Sequence, residues 1–230
     1  MKRLKNRDAL ALNRLQSHKA ALPPAATASP RTRRTQAQRT AETRQALIDA
    51  AVKIIYELGY GGATTAAIAD EAGVSRGSIT HQFGTRAALM AEVLRWVYQQ
   101  EAQSYRELLS KLASTADPAD WVTMCWTVMS KPSGLSVIEI LQAARRDQVL
   151  AEQIMPMQRS IESDALAAVA GLEQTDQSRR LDLMRMIVWS IRGLSLAKVI
   201  ITDEHEIDRV VDLLRRTVMA ATDAKLFGDR

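Results

Sequence analysis

The sequence predicts an all-α fold of nine helices. Three observations point there. Apolar residues make up 47% of the 230 residues, while glycine and proline number only 10 and 6; that balance favours helices and supplies a core. Apolar residues recur at steps of three and four from Leu47 onward, the period of a helix face. No segment shows the strict apolar–polar alternation of a half-buried strand.

Taken in order, residues 1–38 read as a disordered basic tail, broken by Pro23, Pro24 and Pro30. Arg31, Arg33 and Arg34 at its end form an arm able to reach DNA. The first helix begins near Thr40 or Thr43. It carries Leu47, Ala51, Ile54, Ile55 and Leu58 on one face and ends at Gly59. Thr64 or Thr65 caps a short second helix that ends at Gly73, and Ser75 caps a third after three turn residues. The fourth helix starts near Arg86 and runs to about residue 112. Five more are expected over 117–131, 134–145, 148–171, 175–201 and 204–226. Pro118 suits a first turn, Pro132 and Gly134 mark a break, and Pro156 kinks or divides the seventh helix. The expected organisation is a tail (1–38), a three-helix head (39–84) and a helical body (85–230) that binds a ligand and dimerises.

Charge is distributed unevenly. Residues 1–44 hold eleven Lys/Arg against Asp8 and Glu42, whereas the rest of the chain is net acidic. A local positive field beside the head suits a polyanion such as DNA, although it equally suits a solvated tail. No run approaches the length of a membrane span, and the basic N-terminus lacks the apolar centre of a secretory signal. The expected location is cytoplasmic.

Residues 64–83 carry the strongest signal. Two short helices crossing steeply need a small residue at the crossing, which Ala69 supplies. The turn needs a residue tolerant of positive φ, which Gly73 supplies. Ile68, Ala72, Val74, Ile79 and Phe83 have the spacing of plugs that pin both helices to the first. Arg76, Ser78, Thr80, His81 and Gln82 then remain exposed on the second of them, a polar, donor-rich face fit for a major groove. This is a helix-turn-helix pattern.

These residues resemble the TetR family of bacterial regulators. Thr64-Thr65, Ile68-Ala69 and Ala72-Gly73-Val74-Ser75 match its pattern outright. Gly77, Ser78, Ile79 and Phe83 match with conservative changes, and the resemblance covers about 43–94. Thr80 and Gln82 depart from the family's usual tyrosine and histidine. The resemblance, together with side-chain chemistry, assigns Arg76 to a guanine edge. Ser78, Thr80 and Gln82 are assigned to bases or phosphates, and Thr65, Ser75, His81 and Arg86 to phosphates, Arg86 at the start of the fourth helix. It also implies a homodimer on a palindromic operator, acting as a repressor released by a small effector held among helices four to seven.

No enzyme constellation is present in the sequence. His18, His81 and His205 lack partners at metal-ligand spacing, Cys125 is the single cysteine, and there is no Gly-rich phosphate loop. No cofactor or metal is expected, and the acidic group Asp203, Glu204, Glu206 and Asp208 reads as a helix start. The stretch from Trp121 to Met129 is apolar nearly all round, so it is either plain core or the wall of a ligand cavity. Candidate lining residues are Tyr98, Tyr105, Trp121, Met124, Cys125, Met129 and Met155. A cavity larger than a few waters would favour a lipophilic effector. A solid core with an exposed apolar patch would favour a DNA-bound adaptor that recognises a protein. For dimerisation, the apolar stripes Met184, Val188, Ile191 and Ser195 on the eighth helix and Val210, Leu214, Thr217 and Ala221 on the ninth are the expected faces of a four-helix bundle.

Overall fold

The structure, a computed structural model, describes residues 35–111, 118–168 and 177–224. The basic tail of residues 1–34, with its proposed arm, lies outside the described residues. Among those described, nine helices and no strand occur. Helix α1 (Gln36–Gly62) starts before Thr40, whose hydroxyl donates to the Gln36 carbonyl inside the helix (3.0 Å) rather than capping it. Residues 36–38 are therefore helix and not tail. α1 runs past the expected stop through a break at Gly59. Helices α2 (Thr65–Glu71) and α3 (Gly77–Phe83) follow, then α4 (Arg86–Leu109). The rest comprises α5 (Pro118–Met129), α6 (Pro132–Ala144), α7 (Gln148–Ala168), α8 (Gln177–Ala197) and α9 (Glu204–Asp223). α7 runs through Pro156 without dividing.

Local chemistry sets several of these limits. Thr64 and Thr85 accept from the Ala67 and Ala88 amides (3.1 Å each) and cap α2 and α4. Asp203 caps α9 by accepting from the His205 amide (3.0 Å), with Glu204 and Glu206 in its first turn. The acidic group is thus a helix start.

The apolar residues form two clusters. The first gathers Leu47, Ile55, Ile68, Ile79, Leu94 and Ile140, with Leu150 from α7, and joins α1–α4 to α6 and α7. Here α1 packs most extensively on α6. The second gathers Val122, Cys125, Leu183, Ile191, Ile207 and Val218, with α5 packed on both α8 and α9. Helix α4 passes through both, contributing Val97 to the first and Tyr105 to the second.

Between them on α4 lies Glu101, which is buried and bound by Arg192 of α8 through both carboxylate oxygens (2.9 Å each). Arg192 also donates to the Gly134 carbonyl of α6 (3.2 Å), so one guanidinium ties three helices. Gly134 is required by packing. A Cβ there would lie 1.9 Å from the Met129 carbonyl oxygen and 3.2 Å from Arg192.

Candidate nucleic-acid interface and body cavity

Helices α2 and α3 meet through buried Ile68, Ala69 and Ile79. Gly73 adopts φ +66 in the turn, and nothing crowds its missing Cβ. The glycine is there for its backbone conformation. The Val74 amide donates back to the Ala69 carbonyl (3.0 Å), which closes the turn. Ser75 was expected to cap α3. Instead its hydroxyl pairs with that of Ser78 (3.0 Å), while its carbonyl accepts from the Ser78 amide (2.9 Å).

The outward face carries Thr65, Ser75, Arg76, Thr80 and His81, all exposed, with Ser78 half-buried beside them. Gln82, one turn after Ser78 and half-buried like it, borders a flank cleft with Arg44, Phe83 and Glu92. Arg44, which periodicity did not single out, sits 4.4 Å over the Phe83 ring, donates to the Gln82 carbonyl (3.1 Å) and pairs with Glu92 (3.0 Å). It ties α1, α3 and α4 together.

Arg86, expected at a phosphate, also makes contacts within the head. Its guanidinium donates to the Ala63 carbonyl (2.9 Å) and the Tyr60 carbonyl (2.6 Å) and lies 4.1 Å over the Tyr60 ring. This anchors the start of α4 to the junction of α1 and α2. Glu139 of α6 accepts from the Tyr60 amide at the same junction (3.0 Å). Burial pushes the Tyr60 phenol up, and the Arg86 charge opposes that shift. Arg86→Ala is therefore expected to lower stability by about 1–2 kcal/mol in urea unfolding, because two carbonyls lose a charged donor. The salt dependence of DNA binding should stay unchanged; a flattened salt slope with wild-type stability would instead mark Arg86 as a phosphate contact.

In the body, a cavity of about 30 Å³ lies between α5 and α8. Pro118, Trp121 and Cys125 line one side, and Arg180, Leu183 and Ile187 the other. By volume it holds roughly two waters. Of the expected lining residues, Trp121 and Cys125 border it, and Tyr105 meets Trp121 in a tilted ring contact with centroids 6.2 Å apart. Met124 and Met129 are buried but do not line it. Tyr98 packs on the first cluster, and its hydroxyl donates to Gln158 of α7. Met155 is half exposed, at 51%, which removes it from any interior site. Burial raises the Cys125 thiol to about 11, so it is a neutral wall group.

The expected dimer stripe of α8 proves to be its inward face. Ile191 and Ser195 are wholly buried, with the Ser195 hydroxyl donating to the Ile191 carbonyl (2.9 Å), and Met184 and Val188 border the cavity. Ile191 and Ser195 are therefore not free to meet a second chain, whereas Met184 and Val188 are half-buried. On α9, Val210 and Thr217 are exposed as expected, whereas Leu214 packs on the second cluster and Ala221 is half-buried. The exposed apolar stripe of α8 is instead Met186, Trp189, Leu196 and, just beyond the helix, Ile200. Periodicity marked one apolar stripe on α8; the packing of α5 decides which side is inside.

Comparison with known proteins follows the same outline. Residues 47–93 match the family described as bacterial regulatory proteins, tetR family. Over 188 residues the chain is 31% identical to the HTH-type transcriptional regulator CymR of Pseudomonas putida, spanning 77% of this chain and 90% of that protein. It is 29% identical over 145 residues to an uncharacterized HTH-type transcriptional regulator of Mycobacterium tuberculosis, spanning 61% and 74% of the two chains. Among solved structures, a transcriptional regulator from Rhodococcus sp. Rha1 superimposes with a TM-score of 0.58 at 20% identity, covering 77% of this chain and 96% of that one. The multidrug binding protein EbrR, complexed with imidazole, gives 0.54 at 22% identity over 75% and 93%.

Proposed function

Because the chain belongs to the TetR family of bacterial regulatory proteins, and so is a DNA-binding transcription regulator rather than an enzyme, we propose that it is a homodimeric repressor. A small lipophilic effector bound in the body releases it from a palindromic operator. Arg76, Thr80 and Ser78 read base edges, and Thr65, Ser75 and His81 hold phosphates. The observation that carries the release step is the course of α4. Its first residue grips the α1–α2 junction, and its Tyr105 ring touches Trp121, which borders the cavity. A ligand that parts α5 from α8 moves the far end of the helix that sets the head. It shifts the equilibrium only by its preference for the released state; about 100-fold, or about 2.7 kcal/mol, is enough for useful switching.

The adaptor reading draws on the small volume of the cavity and on the exposed apolar stripe of α8. Against it stand two buried donors left without acceptors on residues of the cavity wall, the Trp121 indole nitrogen and Arg180 Nε, since a finished core seldom leaves such groups unmet. No helix among the described residues is long and apolar enough to cross a membrane. The test begins with mapping of bound sites to define the operator. Arg76→Ala is then expected to weaken operator binding by about 1–3 kcal/mol and relax preference at one position. Unchanged affinity and preference would remove Arg76 as the reader. A metabolite screen scored by thermal stabilisation and operator release then separates effector from adaptor.

A further inference from the structure

An open cleft of about 530 Å³ lies between the α1–α2 junction and the end of α6. Tyr60 forms its head side, and Glu139, Gln142, Ala143, Arg145 and Arg146 form its body side. Arg145 and Arg146 are both exposed, in the turn that joins α6 to α7. Other arginines of the body sit with carboxylates, as Arg185 does with Glu162 and Arg216 with Asp212. Among the described residues, neither Arg145 nor Arg146 forms an ion pair. The two carboxylates of this region are engaged elsewhere. Glu139 accepts from the Tyr60 amide and Asp147 from the Leu150 amide (3.0 Å each). The turn itself is fixed, because the Arg145 and Arg146 amides donate to the Gln142 and Ala143 carbonyls (3.2 and 3.0 Å) and Leu150 behind them is wholly buried. It also reaches the head: burial raises the Tyr60 phenol, Arg86 opposes that shift, and the Asp147 charge adds to it. A helix end favours cations by itself. What points further is the neighbour across the cleft. Tyr60 leads in five residues to Thr65, exposed at the start of α2 and assigned above to a phosphate, and Arg86 holds the junction between them.

We propose that Arg145 and Arg146 grip the phosphate backbone of duplex DNA beyond the stretch held by the head, so that the DNA-binding surface continues from α2 across the cleft onto α6. The proposal rests on the DNA-contacting face assigned above and extends it. A guanidinium matches the paired oxygens of a phosphate, and one that is exposed and unpaired reaches them without first losing a partner. Such contacts carry no sequence information; they add affinity and fix the place of the body on the duplex. Because α6 belongs to the body, part of the grip then depends on where the body lies against the DNA, and not only on the spacing of the two heads.

The experiment is fluorescence anisotropy titration of the full-length protein with its mapped operator and with an unrelated duplex of equal length, from about 50 to about 200 mM KCl. Arg145→Gln/Arg146→Gln is expected to lower the slope of log affinity against log salt by about one for each arginine of each bound protomer. Both duplexes should weaken by the same factor, at least about tenfold, with preference among bases unchanged. Arg145→Lys/Arg146→Lys, which keeps the charge, should retain the slope. Arg106→Gln/Arg159→Gln, which removes two equally exposed charges that do not line the cleft, should leave it unchanged. A wild-type slope in Arg145→Gln/Arg146→Gln, with or without a lower melting temperature, would return the pair to a helix-end role and overturn the proposal, while intact operator binding would leave the assigned face of the head standing. An equal loss in Arg106→Gln/Arg159→Gln would reduce the effect to net charge, and an equal loss in the lysine variant would reduce it to side-chain shape; either overturns the proposal. Salt-independent binding of both duplexes by the wild type would remove the phosphate contacts of the head as well.

Discussion

Trp189→Glu combined with Leu213→Glu is expected to give a folded monomer that binds its operator at least about a thousandfold more weakly. Both side chains are apolar and more than half exposed, at 52% and 56%. They belong to continuous stripes, Met186, Trp189, Gly193 and Leu196 on α8 and Val210, Leu213, Thr217 and Ala220 on α9, each with the three- and four-residue steps of a helix-packing seam. Apolar stripes of that kind on adjacent helices mark an interface, and a two-fold copy would complete a four-helix bundle. Gly193 has nothing within 4 Å of its missing Cβ, so a second helix can approach it closely. A carboxylate on each stripe would be buried unpaired at such an interface, yet lies in solvent in the monomer, so folding survives. The size of the loss reflects the gap between specific two-half-site binding and the electrostatic binding that one head retains. Sedimentation velocity and operator titration check both parts. A stable dimer in the double variant would place the interface elsewhere. The pair Val188→Glu and Leu214→Glu, which sequence periodicity alone would select, should unfold the body, because Val188 borders the cavity and Leu214 packs on the second cluster.

Arg192→Met is expected to lower stability by about 3–5 kcal/mol, the cost of stranding a buried charge. Both side chains of the pair are almost wholly buried, at 5% and 8% exposure. Burial pushes the Glu101 carboxyl up, and Arg192 opposes that shift, so the variant raises it further. The sign then follows. A carboxyl whose folded pKa exceeds its unfolded value favours the fold below the unfolded value, about 4.3, and that support is lost as pH rises toward the folded value. The deficit of Arg192→Met against the double variant Arg192→Met/Glu101→Leu should accordingly widen as pH rises above about 4.3. The double variant itself should lie near wild type, because a well-packed apolar pair replaces a buried ion pair at little cost. Urea unfolding over a pH series measures all three. Equal stability of the single and double variants at neutral pH would show that the pair contributes nothing.

The head was legible in the sequence because its requirements are local. A turn that needs positive φ selects Gly73, a cap selects Thr64, and plugs at fixed spacing select Ile68 and Ile79. Outward residues such as Arg76 and Thr80 follow once those are placed. The internal contacts of Arg86 were not legible, because a helix start looks the same from the sequence whether its side chain turns to solvent or to the Tyr60 and Ala63 carbonyls. Glu101 and Arg192 left a faint signal, charges on the otherwise apolar stripes of Val97 and Tyr105 and of Ile191 and Ser195. Their pairing across 91 positions left none.

The sequence by itself determined that this chain is all helical, that residues 64–83 form a DNA-reading helix-turn-helix and that the chain resembles one family of regulators. Periodicity, caps and turn residues act over a few positions, so they survive without knowledge of neighbours. Only the tertiary structure decided which side of α8 is core and which is free, and that Arg86 and Arg44 brace the head. Those outcomes depend on which helix packs against which face, and a helix whose opposite sides are both apolar carries no local mark of the answer.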